Sequence, residues 1–72
     1  MIIIKFGLSN EVRSDPSTWE NVGAMLADPN VKGILKYGDN VEPVYTGRVL
    51  SNFEAVPAQG VIELRSVANG KG

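Results

Sequence analysis

The side chains that most often do chemistry in enzymes are scarce in this sequence. Its 72 residues include no histidine and no cysteine, which removes the commonest general base and the best nucleophile. A serine nucleophile needs a base within hydrogen-bond reach, and none is evident beside the serines here. We interpret them as turn and cap residues: Ser9, Ser14, Ser17, Ser51 and Ser66. The sequence therefore predicts a protein that is not an enzyme.

Acidic residues and glycines give no cofactor or metal motif. Asp39 and Glu42 lie close enough in sequence for an acid pair, but they suit a turn and a strand better. As a calcium site they offer too few oxygen ligands unless Asn40 and backbone carbonyls contribute. The glycines of this region lack the Gly-Lys-Ser/Thr ending of a phosphate loop: Gly33, Gly38 and Gly47. We expect neither a metal nor a cofactor.

Charge and hydropathy narrow the classes of partner. The chain has 7 basic and 8 acidic residues and a net charge of −1, so no basic stripe marks a nucleic-acid site. No apolar run approaches the roughly 20 residues of a membrane-spanning helix. The first residues, Met1–Lys5, lack the basic region and cleavage site of a secretory signal. We expect a cytoplasmic protein whose partner is another protein.

The first strand is predicted by alternation over residues 1–8. Ile3 and Lys5 fall on one face, and four apolar side chains fall on the core face: Ile2, Ile4, Phe6 and Leu8. Ser9-Asn10 is a polar break that can reverse the chain, and Glu11–Arg13 alternates like a short second strand. A β-hairpin is therefore expected at the amino end.

Helix signals follow over Asp15–Asp28. The helix begins either with Asp15 as N-cap before Pro16 or with a capping box from Ser17 to Glu20. One face carries Trp19, Val22 and Leu26, flanked by Met25, and Pro29 is expected to end the helix. Trp19 at this spacing is interpreted as core, with an interface anchor as the alternative.

Two interpretations stay open for residues 31–40. Residues 34–37 are either a strand that turns into the next one or part of a packed loop with an apolar plug. In Val41–Tyr45, alternation directs Val41, Pro43 and Tyr45 to the core, while Val44 and, after the turn, Arg48 face outward. Pro43 cannot donate to a sheet, which predicts an open or bulged strand edge.

The last strand is predicted over Val61–Val67. Ile62 and Leu64 alternate inward, whereas Glu63 and Arg65 alternate outward. Residues 68–72 have nothing apolar to bury and are expected to form a flexible tail.

Three stretches resemble ubiquitin-like proteins. Asp15–Asp28 is similar to the ubiquitin helix with its lead-in, and Val44–Leu50 is similar to the turn after the family's third strand. Residues 61–72 resemble the end of the sulfur-carrier branch. The resemblance implies an α+β, β-grasp fold, in which a mixed sheet of four to five strands packs on one helix. Residues 1–67 would form the single domain, followed by the tail.

Two departures from the family bear on function. Its carriers end in Gly-Gly, which fits the narrow channel of an adenylating enzyme, whereas this chain ends Gly70-Lys71-Gly72. Lys71 would obstruct that channel. The apolar patch by which ubiquitin binds receptors would map to four residues, of which the last two are charged here: Leu8, Val44, Glu63 and Arg65.

The preferred hypothesis is a ubiquitin-like module that binds a protein through its sheet face or an open strand edge. The residues assigned to binding are Ile3, Leu8, Val44, Arg48, Glu63 and Arg65. One alternative is a modifier or sulfur carrier, activated by an adenylating enzyme at a tail of Gly70, Lys71 and Gly72. Another is a small regulatory inhibitor or accessory subunit of an enzyme complex.

Overall fold

A mixed five-stranded sheet with two short helices on one face forms the architecture of this α+β chain. The computed structural model describes residues 1–38 and 40–67. The strands are β1 (Ile2–Phe6), β2 (Asn10–Ser14), β3 (Val41–Tyr45), β4 (Arg48–Val49) and β5 (Gly60–Ser66), in the spatial order β2-β1-β5-β3-β4. The helices are α1 (Val22–Ala27) and α2 (Pro29–Leu35).

Strands β1 and β5 pair in parallel at the centre of the sheet, although they lie near opposite ends of the sequence. Ile4 lies opposite Ile62, and Phe6 lies opposite Leu64. Ile4 and Ile62 are fully buried, and they pack with apolar side chains of both helices, among them Met25 of α1. The helices therefore cover the sheet face that the alternation assigned to the core.

The amino-terminal hairpin agrees with the prediction except at Leu8. Strand β2 pairs antiparallel with β1 over its whole length. The first strand ends at Phe6, and Gly7 has a φ of 79°, which turns the chain. Alternation stops at that turn, so Leu8 is not on the core face but is 99% exposed.

The helix predicted over Asp15–Asp28 is divided in the structure. Asp15 caps only a 3₁₀ turn, Pro16–Thr18, after which Trp19 is extended with φ −120° and ψ 142°. Helix α1 then begins with Asn21, whose Oδ1 accepts a hydrogen bond of 2.8 Å from the Ala24 amide. Asn21 is therefore the cap of α1, and neither start predicted from the sequence is the one used. Trp19 is buried in the core.

A second helix, rather than the strand or loop considered above, occupies the start of residues 31–40. Pro29 ends α1 but is also the first residue of α2, a position where proline costs no hydrogen bond. Val31 and Leu35 lie one turn apart and are both buried. Lys36, in the left-handed region with a φ of 59°, ends the helix.

Asp28 connects the two helices to the core. Its Oδ1 accepts a hydrogen bond of 2.7 Å from the Asn30 amide, which caps α2. Its Oδ2 accepts a bond of 2.8 Å from Nε1 of Trp19. These donors, the Trp19 N–H first, lower the pKa of Asp28. Nearby, the Tyr37 hydroxyl donates to the Leu26 carbonyl at 2.8 Å, and burial, followed by the charge of Asp28, raises the pKa of Tyr37 to about 12.

Asp28 should contribute to the loss of stability in acid. Because its pKa is lower in the folded protein than in the unfolded chain, its contribution is present above the ordinary aspartate pKa and is lost as pH falls through the folded value. Asp28→Asn keeps a cap oxygen but removes the charge, whereas Asp28→Ala removes both. Thermal unfolding at pH 7 should rank the melting temperature wild type, then Asp28→Asn, then Asp28→Ala.

The pH profile is the sharper measurement. We expect the gap between wild type and Asp28→Asn to narrow as pH is lowered below the ordinary aspartate range. Parallel profiles for these two proteins would contradict a role for the Asp28 charge. Asp15 and Glu54, whose pKa values are also lowered by hydrogen bonds, leave a residual acid dependence in both proteins.

Candidate binding surface

The sheet face opposite the helices carries a regular set of apolar and charged side chains. Residues directly opposite each other in a sheet project to the same side. The register places one row across all five strands: Glu11, Lys5, Glu63, Val44 and Val49. A neighbouring row contains Arg13, Ile3 and Val61, and Arg65 lies opposite Glu42. We call this set of ten residues the open face.

Val44 forms the apolar floor of a shallow depression in the open face. The depression has a volume of about 400 Å³. Val44 is only 7% exposed even though it is not part of the core cluster beneath the helices. Val61, which is 43% exposed, and Leu8 add apolar surface at the rim. An aliphatic side chain from another molecule would therefore meet apolar contacts on several sides.

Charged side chains also line this depression. Lys5, Glu63 and Arg65 contribute two positive charges and one negative charge. The ion pairs described in the structure lie elsewhere: Arg13 with Glu11 at 2.9 Å, and Arg48 with Glu54 at 3.0 Å. An apolar centre inside a charged rim is the arrangement of a protein–protein contact, where the rim supplies specificity.

Most of the residues assigned to binding from the sequence come together on this face. Ile3, Val44, Glu63 and Arg65 all belong to the open face, and Leu8 lies at its edge. Lys5 and Val61 were not assigned to binding. Alternation could have indicated both, because Lys5 is two residues from Ile3 and Val61 is two residues from Glu63, so each pair shares one face of its strand. Gly70, Lys71 and Gly72 lie outside the described residues.

Arg48 does not lie on the open face. It pairs with Tyr45, whose side chain is on the core side of the sheet. Its guanidinium donates two hydrogen bonds of 3.0 Å to the Glu54 carboxylate. This contact raises the pKa of Arg48 and lowers that of Glu54. Arg48 is therefore placed to hold the loop after β4 rather than to meet a partner beside Val44.

Comparison of the chain with protein-family models, with curated proteins and with solved structures finds no match. Within residues 1–38 and 40–67, no three acidic side chains are grouped in a way that would hold a metal ion. Neither helix of that same part of the chain has the length and apolar character needed to cross a membrane. The open face is therefore the feature of the molecule that bears on its function.

The turn between β3 and β4 borders the depression and is held in an unusual conformation. Thr46 and Gly47 have φ values of 50° and 84°, as a two-residue hairpin turn requires. Glycine adopts this region freely, but a β-branched residue such as threonine is strained there. The Thr46 hydroxyl donates a hydrogen bond of 2.7 Å to its neighbour's carbonyl, that of Tyr45. The strain thus lies beside the candidate site.

Replacing Thr46 by asparagine should stabilise the protein. Asparagine tolerates a positive φ, so Thr46→Asn should raise the free energy of unfolding by about 1 kcal/mol. Denaturant unfolding would measure the change. Thr46→Val is the matched control, because it keeps the branched Cβ and removes only the hydroxyl, and it should give no gain. A Thr46→Asn protein no more stable than wild type would show that this turn is not strained.

Proposed function

We propose that this chain is a non-enzymatic, ubiquitin-like module of the β-grasp type that binds a protein through its open face. The order of the elements supports the fold assignment: a hairpin, a helical segment, and three further strands. The central parallel pair of β1 and β5 is also compatible with a β-grasp arrangement. The sequence resemblance over Val44–Leu50 points in the same direction, whereas the single helix that the resemblance implied over Asp15–Asp28 is divided.

The observation that carries the proposal is the depression over Val44. A single aliphatic anchor placed there would lose its contact with water against Val44 and Val61. Full burial of one such side chain contributes about 1.5–3 kcal/mol, and the shallow depression would supply part of that. The open face thus supplies both an apolar centre and a charged rim without any rearrangement of the sheet.

The charges of the rim favour a particular partner. Among the residues that line the depression, Lys5 and Arg65 are basic and Glu63 is acidic, whereas Glu11 and Glu42 of the open face lie outside the lining. A segment with an aliphatic residue flanked by Asp or Glu therefore complements the site better than a basic segment. A purely apolar patch would not distinguish acidic from basic segments. The charged depression does, because a basic competitor of the same shape is repelled.

The strand edge beside Pro43 is a weaker candidate for the same role. The Pro43 carbonyl already accepts a hydrogen bond of 2.8 Å from the Leu50 amide, and proline has no amide hydrogen to offer. Strand addition depends on main-chain hydrogen bonds along the edge. We therefore place binding on the open face. A regulatory inhibitor or accessory subunit would use the same face.

Substitutions on the open face should abolish partner binding without unfolding the protein. Val44→Glu introduces a charge at the floor of the depression, and Ile3→Asp introduces one on the open face opposite Val61. For each we expect the Kd to rise at least about tenfold. Val61→Glu is a milder version at a more exposed position. The wild-type chain and each variant would be immobilised, the bound proteins compared, and the Kd of any wild-type partner measured by calorimetry.

The control for these variants is Glu20→Ala, which changes an exposed residue before α1. It should bind like wild type. Circular dichroism must show that each open-face variant keeps its fold. If Val44→Glu, Ile3→Asp and Val61→Glu all retain the partner with unchanged affinity, binding occurs elsewhere.

Reversing the rim charges should change the dependence of binding on salt. Lys5→Glu and Arg65→Glu should each weaken an acidic partner, because like charges then face each other, and should remove the loss of affinity that salt causes in wild type. Glu63→Lys should strengthen the same partner. An unchanged Kd for Lys5→Glu and Arg65→Glu across a salt series would contradict the charge preference.

A further inference from the structure

Strand β2 is an open edge of the sheet over its whole length. It is the outermost strand and pairs with β1 on one side only. In the described part of the chain, no backbone hydrogen bond joins its residues, Asn10–Ser14, to any other element. The strand contains no proline, whereas the opposite edge is the two-residue strand β4 beside Pro43. The free amides and carbonyls of such an edge are a template for pairing with a further strand.

The sequence of β2 is complementary to itself when two copies run antiparallel. Val12 is the central residue of the strand, with Glu11 before it and Arg13 after it. When Val12 lies opposite Val12 of a second copy, each Glu11 lies opposite an Arg13 of the other copy. Opposite charges that face each other across two strands stabilise the pair. The Arg13 side chain is 66% exposed, so it is accessible to such a partner.

The same charges disfavour the neighbouring registers. A shift of two residues places Glu11 opposite Glu11 or Arg13 opposite Arg13, and a parallel pair in register brings the same like charges together. Like charges directly opposite each other destabilise a strand pair. In the single chain, Arg13 Nε donates to Glu11 Oε2 at 2.9 Å. Centred on Val12, two such ion pairs lie side by side with alternating signs, which selects this register.

We propose that the chain forms a symmetric dimer by antiparallel pairing of β2 with β2 of a second copy, centred on Val12. A two-fold axis perpendicular to the sheet relates the copies, so each contact occurs twice. The two five-stranded sheets join into one, with all the helices on the same face. The occupant of the edge is a second copy because β2 itself carries the charge pattern that complements β2.

An exposed isoleucine on α2 adds apolar surface beside this edge. Helix α2 packs on β2, and Ile34 is 56% exposed. Lys32 of the same helix lines a groove together with Val41 of β3. Ile34 lies about 160° around the helix from Lys32, because an α-helix has 3.6 residues per turn. Ile34 therefore faces away from β3, toward the β2 side of the sheet, where a second copy would cover it.

The expected dimer is weak because its interface is small. Two five-residue strands with an Ile34 side chain from each copy bury less than the roughly 1,200 Å² of a standard interface. We expect a Kd of about 0.1–1 mM. The residues that line the depression over Val44 all lie outside β2 and α2, so the depression stays uncovered. Both copies then present it on the same side of the joined sheet.

Charge reversal tests the proposed register in the full chain. Sedimentation equilibrium at concentrations that bracket about 0.1–1 mM should show a monomer–dimer equilibrium for wild type. Arg13→Glu and Glu11→Arg each bring like charges together, so each variant alone should be a monomer. An equimolar mixture of the two variants should dimerise again, because every acidic side chain then faces a basic side chain of the other variant. Circular dichroism must show that both variants keep their fold.

Two further variants locate the contact. Leu8→Ala changes an apolar residue that is 99% exposed and lies outside the contact, so this variant should dimerise like wild type. Ile34→Asp should weaken the dimer, because it removes the apolar surface beside the edge and places one carboxylate on each copy there.

Isotope-filtered NMR on a mixture of labelled and unlabelled protein identifies the paired strand. Intermolecular signals between the Val12 methyl groups of the two copies are expected. The proposal is overturned if wild type stays monomeric throughout the range, if the mixture of charge-reversed variants stays monomeric, or if the intermolecular signals come from Phe53 or Val44 instead. Pairing of β2 with an extended peptide of another protein, while the free chain stays monomeric, would also overturn it.

Discussion

The parallel pairing of β1 with β5 is the constraint on which the rest of this molecule depends. It brings residues 2–6 against residues 60–64 at the centre of the sheet. The pair divides the side chains of both strands between two faces. Ile4 and Ile62 face the helices and are fully buried, while Lys5 and Glu63 face the other way. A shift of one residue in this register would exchange the two sets, so the same pairing defines the core and the open face.

Short polar contacts hold the helical segment and the loop after β4 in place. The helical segment is too short to be stable by itself, because isolated helices of fewer than about 12 residues are marginal in water. Asn21 and Asp28 cap its two helices, and Asp28 also accepts the Trp19 N–H. Gly23 permits close contact with the loop after β4, since a Cβ there would lie 3.2 Å from the Asn52 carbonyl oxygen. The loop that presents Phe53 is thus fastened to α1.

The two sides of the molecule are therefore suited to different contacts. The open face offers an aliphatic site with charges around it, which favours selective recognition of a complementary segment. The helix side carries the exposed Phe53 ring and a groove whose lining includes Lys32 and Tyr37.

The strands and their faces follow from the order of residues in the chain, because a period of two depends only on the alternation of neighbouring residues. The strands predicted over residues 1–8, 41–45 and 61–67 correspond to Ile2–Phe6, Val41–Tyr45 and Gly60–Ser66. With them came most of the open face: Ile3, Val44, Glu63 and Arg65. Thr46-Gly47 was also recognisable as a turn. These features depend on neighbouring residues only, so they can be predicted without knowing what packs against them.

Three features depend on tertiary contacts: the helix boundaries, the side on which Arg48 lies, and the exposure of Leu8 and Phe53. Asp15, Ser17 and Asn21 are all acceptable caps, and the contacts of Trp19 and Asn52 with distant residues decided between them. Pro29 follows the end of α1 and is the first residue of α2. Proline is compatible with both positions, so its residue type does not choose between them. The side of the sheet on which Arg48 lies depends on the register of the two-residue strand β4 and on the hydrogen bonds to Glu54. Each of these outcomes depends on contacts with residues far away in sequence. Local propensity does not predict such contacts.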